Sequence, residues 1–171
     1  DKLCDYFNQG WLQFTGRALS AEVGEGWVQG VYADDVQHCV DLYSSAFEQR
    51  EAFEMEYRLR HHSGEYRWVL DHGVPRFSPD GTFVGYIGGC VDIHDRKQAE
   101  RALRESEERL QLFVRHAPAA IAMFDREMHY LAVSERWLAD YHLQEQAILG
   151  RSHYEVFPEI PERWREVHRE C

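Results

Sequence analysis

The chain has 171 residues, of which 44% are hydrophobic and 29% charged, a usage that excludes a disordered tract or a disulfide-stapled scaffold and suits one domain plus part of another. Nineteen Lys and Arg stand against 30 Asp and Glu, and the resulting net charge of −11 repels both nucleic-acid phosphates and anionic membrane surfaces. The cysteines Cys4, Cys39, Cys90 and Cys171 form no C-x-x-C pair, which excludes a zinc knuckle or thioredoxin motif and leads us to expect reduced thiols in a cytoplasmic compartment.

In chain order, Gly16, Gly24, Gly26 and Gly30 divide the stretch from Trp11 to Tyr32 into short helical turns and loops. Asp34-Asp35 offers an N-cap and first-turn negative charge for a helix to about Gln49, with Cys39, Val40, Tyr43 and Phe47 near helical spacing. From Phe53 to Arg60 every second residue is apolar between charged neighbours, the period of a half-buried strand. The break His61-His62-Ser63-Gly64-Glu65 predicts a turn into a second strand from Tyr66 to Val74. Ser78-Pro79-Asp80-Gly81 predicts a β-turn into a third, Thr82 to Ile93, giving a three-stranded antiparallel meander.

Residues 95–116 are almost wholly charged, with Ala99, Leu103, Ser106, Leu110, Phe113 and Ala117 recurring at alternating intervals of four and three. That is a heptad seam on a helix of roughly 30 Å, too short to pair well without flanking domains. Strand-like patterning returns at 119–124 and 128–133 around the turn Asp125-Arg126-Glu127. Helix signals follow near Ser134 and from Pro161 to Cys171. No stretch approaches the roughly 20 apolar residues that cross a bilayer. The chain opens without Met and stops inside an expected helix, so it is read as a piece of a longer protein whose membrane anchor, if any, lies elsewhere.

These residues carry a resemblance. EYRLRHHSGEYRWVLDHG followed by FSPDGTFVGYIGGCVDIHDRKQAE resembles the C-terminal half of PAS domains with their terminal Asp-Ile-Thr-x-Arg-Lys signature, His94 standing where the family has Thr. FNQGWLQFTGR resembles the segment that ends the second PAS strand and begins the first short helix. PAAIAMFDREMHYLAVSERWLADY, then ILGRSHYEVFP, resembles the first half of another PAS domain. The expected fold is α+β: a PAS-like antiparallel sheet with flanking short helices over 1–94 that lacks its opening strand, a coiled-coil-like helical linker over 95–116, and the N-terminal half of a second PAS unit over 117–171.

The resemblance implies a sensory and dimerisation region of a signalling protein, with an output domain such as a histidine kinase or cyclic-dinucleotide enzyme in the same parent. The alternative is a ligand-free PAS scaffold used only for protein–protein interaction and dimerisation. Strand alternation puts Met55, Tyr57 and Leu59 on one face, and Tyr86, Gly88, Cys90 and Asp92 on one face of the third strand. The family match turns these faces inward, so Phe14, Met55, Tyr57, Leu59, Val69, Asp71, Tyr86, Gly88 and Cys90 are candidates to line a small-molecule pocket, with Gly88 leaving space against the sheet. Asp92, Ile93, His94, Asp95, Arg96 and Lys97, where strand gives way to helix, are the candidate signal relay.

No cofactor is assigned. None of the cysteines lies in the Asn-Cys-Arg-Phe-Leu-Gln context of flavin-binding relatives. His38, placed where haem-binding relatives have a ligand, flanks the expected inward helix face. His61, His62 and His72 form no metal set, since the adjacent pair is expected to point to opposite faces, and no catalytic constellation emerges. The partner expected is a second copy of the chain, paired through Ala99, Leu103, Ser106, Leu110 and Phe113; strand exchange between copies is a further expected route, because the edge of 82–93 is open while 119–133 supplies strands of the missing kind.

Overall fold

The computed structural model describes residues 3–170, so Cys171 lies outside the described residues. The glycine-punctuated opening folds into α1 (Gln9–Thr15), α2 (Leu19–Glu22) and a 3₁₀ turn (Gly26–Gly30). Asn8 caps α1 by accepting from the Trp11 N–H at 2.9 Å. Buried Glu22 ties these turns together by accepting from Trp11 Nε1 at 2.7 Å and pairing with Arg17. The following helix is α3 (Val36–Gln49). The sheet is an antiparallel meander of β1 (Phe53–Arg60), β2 (Tyr66–Phe77) and β3 (Phe83–Asp92), in the order β1-β2-β3.

Asp35 holds the N-cap position of α3, but its side chain does not cap. Its carboxylate instead accepts from the Arg58 backbone N–H at 2.9 Å and from both arms of the Arg58 guanidinium at 2.8 and 2.6 Å. A bidentate ionic pair outweighs a neutral cap bond, so the aspartate serves to lash α3 to β1. Val40 is exposed rather than inward. It sits one position, about 100°, round the helix from Cys39, and the buried stripe runs instead through Cys39 and Ala46, with Val36 and Leu42 against the core.

β2 extends three residues beyond Val74, its end staying paired through a register shift between Arg76 and Phe77 opposite Gly85, whose φ of +121° suits glycine. The inner face of the sheet buries Met55, Tyr57, Leu59 and Val69 against Cys39, Trp27 and Val31. After β3 a single residue, Ile93, leads into α4 (His94–Arg115).

The chain divides into two compact units between Glu100 and Arg101, within α4. In the second, β4 (Ala122–Phe124) pairs with β5 (Tyr130–Val133), followed by α5 (Glu135–Tyr141), α6 (Glu145–Ile148), α7 (His153–Val156) and α8 (Glu162–Glu170). The first strand is shorter than the expected 119–124 because Ser134 intercepts the backbone there. Its hydroxyl donates to Ala119 O at 2.9 Å and accepts from Ile121 N at 2.9 Å and Trp137 N at 3.1 Å, the last capping α5. Tyr130, Val133 and Ile148 form the buried centre of this unit.

Candidate functional site

Cross-strand pairing sets Asp71 at the middle of the first unit's inner face, opposite Met55 on one side and Cys90 on the other. The Tyr57 hydroxyl donates to Asp71 Oδ2 at 3.3 Å. Among the described residues no cation is paired with this carboxyl, so burial dominates and pushes it up to about 6. The same apolar surroundings, reinforced by the Asp71 charge, raise the thiols of Cys39 and Cys90 to about 12 and that of Cys4 to about 11. All three are held as thiols at neutral pH, which removes thiolate nucleophilicity and metal affinity.

Of the residues expected to line a pocket, the structure brings seven together: Met55, Tyr57, Leu59 and Val69 lie within the buried core, Phe14 and Cys90 pack against it, and Asp71 is bound to Tyr57. Tyr86 belongs elsewhere. Its hydroxyl lies 2.6 and 2.7 Å from the carbonyl oxygens of Ala46 and Glu51, closing the C-terminal end of α3, and its ring joins Tyr43, Phe47, Phe53 and Phe83. Gly88 leaves no spare space. It faces Gly73 across the ladder, and a Cβ there would lie 2.6 Å from the His72 carbonyl oxygen, so its role is close strand approach.

His38 is exposed on α3. His61 and His62 do not point to opposite faces as expected; their ring centroids are 3.9 Å apart, because both lie past the end of β1, where strand alternation has lapsed. His72 is exposed on the outer face of β2, paired with Gly89. In the second unit Asp125, Glu127 and His129 present three ligand-type groups close together, but Asp125 already accepts from the backbone N–H of Glu127 and His129 and contacts the His129 ring, which is the work of a turn.

The strand–helix joint is tied by several hydrogen bonds and ion pairs. The Ile93 N–H donates to Trp68 O at 2.9 Å, continuing the ladder one residue past β3. Arg67 on β2 binds Asp92 at 2.7 Å and Asp95 at 2.9 Å, spanning the end of the strand and the start of the helix. Glu56 on β1 holds Arg96 at 2.9 Å and also pairs with Lys97. The Asp92 carboxylate accepts from the His94 N–H at 2.9 Å, capping the helix start. The His94 ring, its side chain 12% exposed, contacts Trp68, Gln98 and Glu65.

Sequence reasoning identified one side of this joint and missed the other, Glu56, Glu65, Arg67 and Trp68. The available signal was the strand register: once Val69 is set opposite Asp92, the residues just before Val69 must meet those just after Asp92. Along α4, Arg101–Glu105 and Arg104–Glu108 pairs brace the helix at 2.7 and 2.9 Å. Ala99, Leu103, Ser106, Leu110 and Phe113 are all exposed, Phe113 at 73%.

Two family models, both described as PAS fold, match this chain, one over residues 5–90 and the other over residues 114–170. The uncharacterized protein y4lL of Sinorhizobium fredii is 38% identical over 112 residues, covering 66% of this chain and 14% of that protein. The peroxide stress-activated histidine kinase mak1 of Schizosaccharomyces pombe is 28% identical over 150 residues, covering 82% of this chain. The chain thus spans only 14% and 9% of the length of these relatives. Among solved structures, the N-terminal domain of a diguanylate cyclase with PAS/PAC sensor from Marinobacter aquaeolei is 22% identical with a TM-score of 0.49, covering 54% of this chain and 85% of that one.

Proposed function

We propose that this chain, which belongs to the PAS-fold family and carries two successive units of it, is a sensory and dimerisation segment that passes a conformational change from the first sheet into α4. The observation that carries the reading is the joint. A helix that starts one residue after β3 and is tied to β1 and β2 through Glu56, Arg67 and Trp68 has little freedom to move without the sheet. A small ligand or a change in core packing that shifts the register of β2 against β3 would therefore redirect the helix, and two such helices paired along Leu103, Leu110 and Phe113 would deliver that change to an output domain.

In this reading residues 1–94, 95–116 and 117–171 act as sensor core, linker and half of a second unit. On the same reading the parent protein is a cytoplasmic histidine kinase or cyclic-dinucleotide enzyme, and the name of mak1, a histidine kinase, supports the first of these. Among the described residues no helix is long and apolar enough to cross a membrane.

One observation favours a second reading, a scaffold that binds no ligand: Tyr57, Leu59 and Val69 are each no more than 1% exposed and fill the core with their own side chains. Native mass spectrometry of freshly purified chain separates the two. A dimer carrying a stoichiometric small molecule is expected from the sensor, whereas a dimer of twice the bare polypeptide mass, with nothing bound, would leave only the scaffold.

A further inference from the structure

The sheet makes an unusual use of a side chain at the joint. Trp68 turns both its backbone groups toward β3, since its carbonyl accepts the Ile93 N–H. By that position the opposing chain has already entered α4, and no strand carbonyl remains to receive the Trp68 N–H. The His94 imidazole fills the gap, its Nδ1 lying 3.3 Å from the Trp68 nitrogen. His94 thus extends the ladder by one hydrogen bond at the residue where the family signature has Thr.

An imidazole can accept through Nδ1 only while neutral with its proton on Nε2. Glu65 supports that tautomer from the far side of the ring, its carboxylate oxygen lying 3.4 Å from Nε2. Gln98 Nε2 lies 2.8 Å from the same ring nitrogen, so this tautomer requires the Gln98 amide to turn its oxygen inward. Protonation converts Nδ1 into a donor facing another donor, leaving the partly buried Trp68 N–H without a partner.

We propose that His94 is a proton-operated latch between β2 and α4, closed when the ring is neutral and released when it is charged. The charged and titratable groups around it come from every neighbouring element: Glu65 in the β1–β2 turn, Arg67 on β2, Asp92 on β3, and Asp95 at the start of α4. Glu65 and the two aspartates attract an imidazolium. Arg67 is drawn off by its two aspartate pairs, and the N-terminal end of α4 opposes positive charge at its first residue. Release frees one of the ties that hold the helix start to the sheet. The regulatory meaning rests on the joint being the output path, but the latch itself does not.

Nitrogen-detected NMR of the whole chain tests the latch without reference to dimerisation or output. At pH 8 the His94 Nε2–H tautomer and a protected Trp68 amide are expected. At pH 5.5 the doubly protonated ring should appear and Trp68 protection, corrected for intrinsic exchange, should fall by roughly tenfold, while the Ile93 amide changes less. His94→Thr, which restores an acceptor that does not titrate in this range, should abolish the pH dependence of Trp68. An Nδ1–H tautomer at pH 8, Trp68 protection that stays level while His94 titrates, or pH dependence that survives in His94→Thr would each overturn the proposal. If the latch behaves as stated but α4 is equally ordered in both states, the latch stands and the relay reading fails.

Discussion

Two aspartates in the first unit illustrate how position decides the sign of an electrostatic effect. Asp35 is held by the Arg58 guanidinium, which lowers its carboxyl below the usual range, so its contribution is present above about pH 4 and lost as pH falls further. Asp71 is bound by the Tyr57 hydroxyl and, with no cation beside it among the described residues, is raised from 3.8 to about 6 by burial. The native state holds its proton across that window while the unfolded chain releases it. Stability therefore falls as pH rises from 3.8 to about 6, by at most about 3 kcal/mol. Asp71→Asn keeps the volume and an acceptor for Tyr57. Urea unfolding should find this variant more stable than the parent at pH 7.5 by about 1–3 kcal/mol, with the gap closing by pH 4. Equal midpoints at pH 7.5 would show that Asp71 is not desolvated.

At the scale of elements, the structure depends on side chains that substitute for backbone. Ser134 is fully buried and serves three backbone groups at once, joining the start of β4 to the start of α5. Ser134→Ala leaves two N–H groups and one carbonyl without that partner, and should destabilise the second unit by about 2–3 kcal/mol. Amide exchange at Ile121 and Trp137 should accelerate with it, whereas the β2 amides of the first unit keep their protection. A variant that melts at the parent midpoint would refute this account. Gly88 shows the opposite device, a side chain removed so that two strands can approach.

For the whole molecule the open question is what covers the exposed seam of α4. Leu103 and Leu110 share a helix face with buried Val114 yet stay exposed, as does Phe113 on the flank of that face, and a parallel or antiparallel partner helix would sequester them. Sedimentation of the chain should report a dimer, and Leu110→Asp, at a position that is 51% exposed, should convert it to a folded monomer. A dimer that persists in the variant would assign association to strand exchange along the open edge of β3 instead. A monomeric parent chain would remove the paired-helix reading altogether.

Local chemistry made most of the first unit legible in advance. Period-two alternation at 53–60 and the turn residues at 61–65 and 78–81 are backbone-scale signals, and they placed β1, β2 and β3 to within three residues. The heptad spacing likewise located α4, because helical periodicity depends only on the residues of the helix itself. What the sequence by itself could not determine is which distant groups meet. Asp35 chose Arg58 over its own helix, Tyr86 left the expected pocket for the end of α3, and His94 found the Trp68 amide. Each of those choices joins groups 23 to 40 residues apart. Only the tertiary register brings such groups within hydrogen-bonding distance, and there desolvation makes a paired polar group far more favourable than an unpaired one.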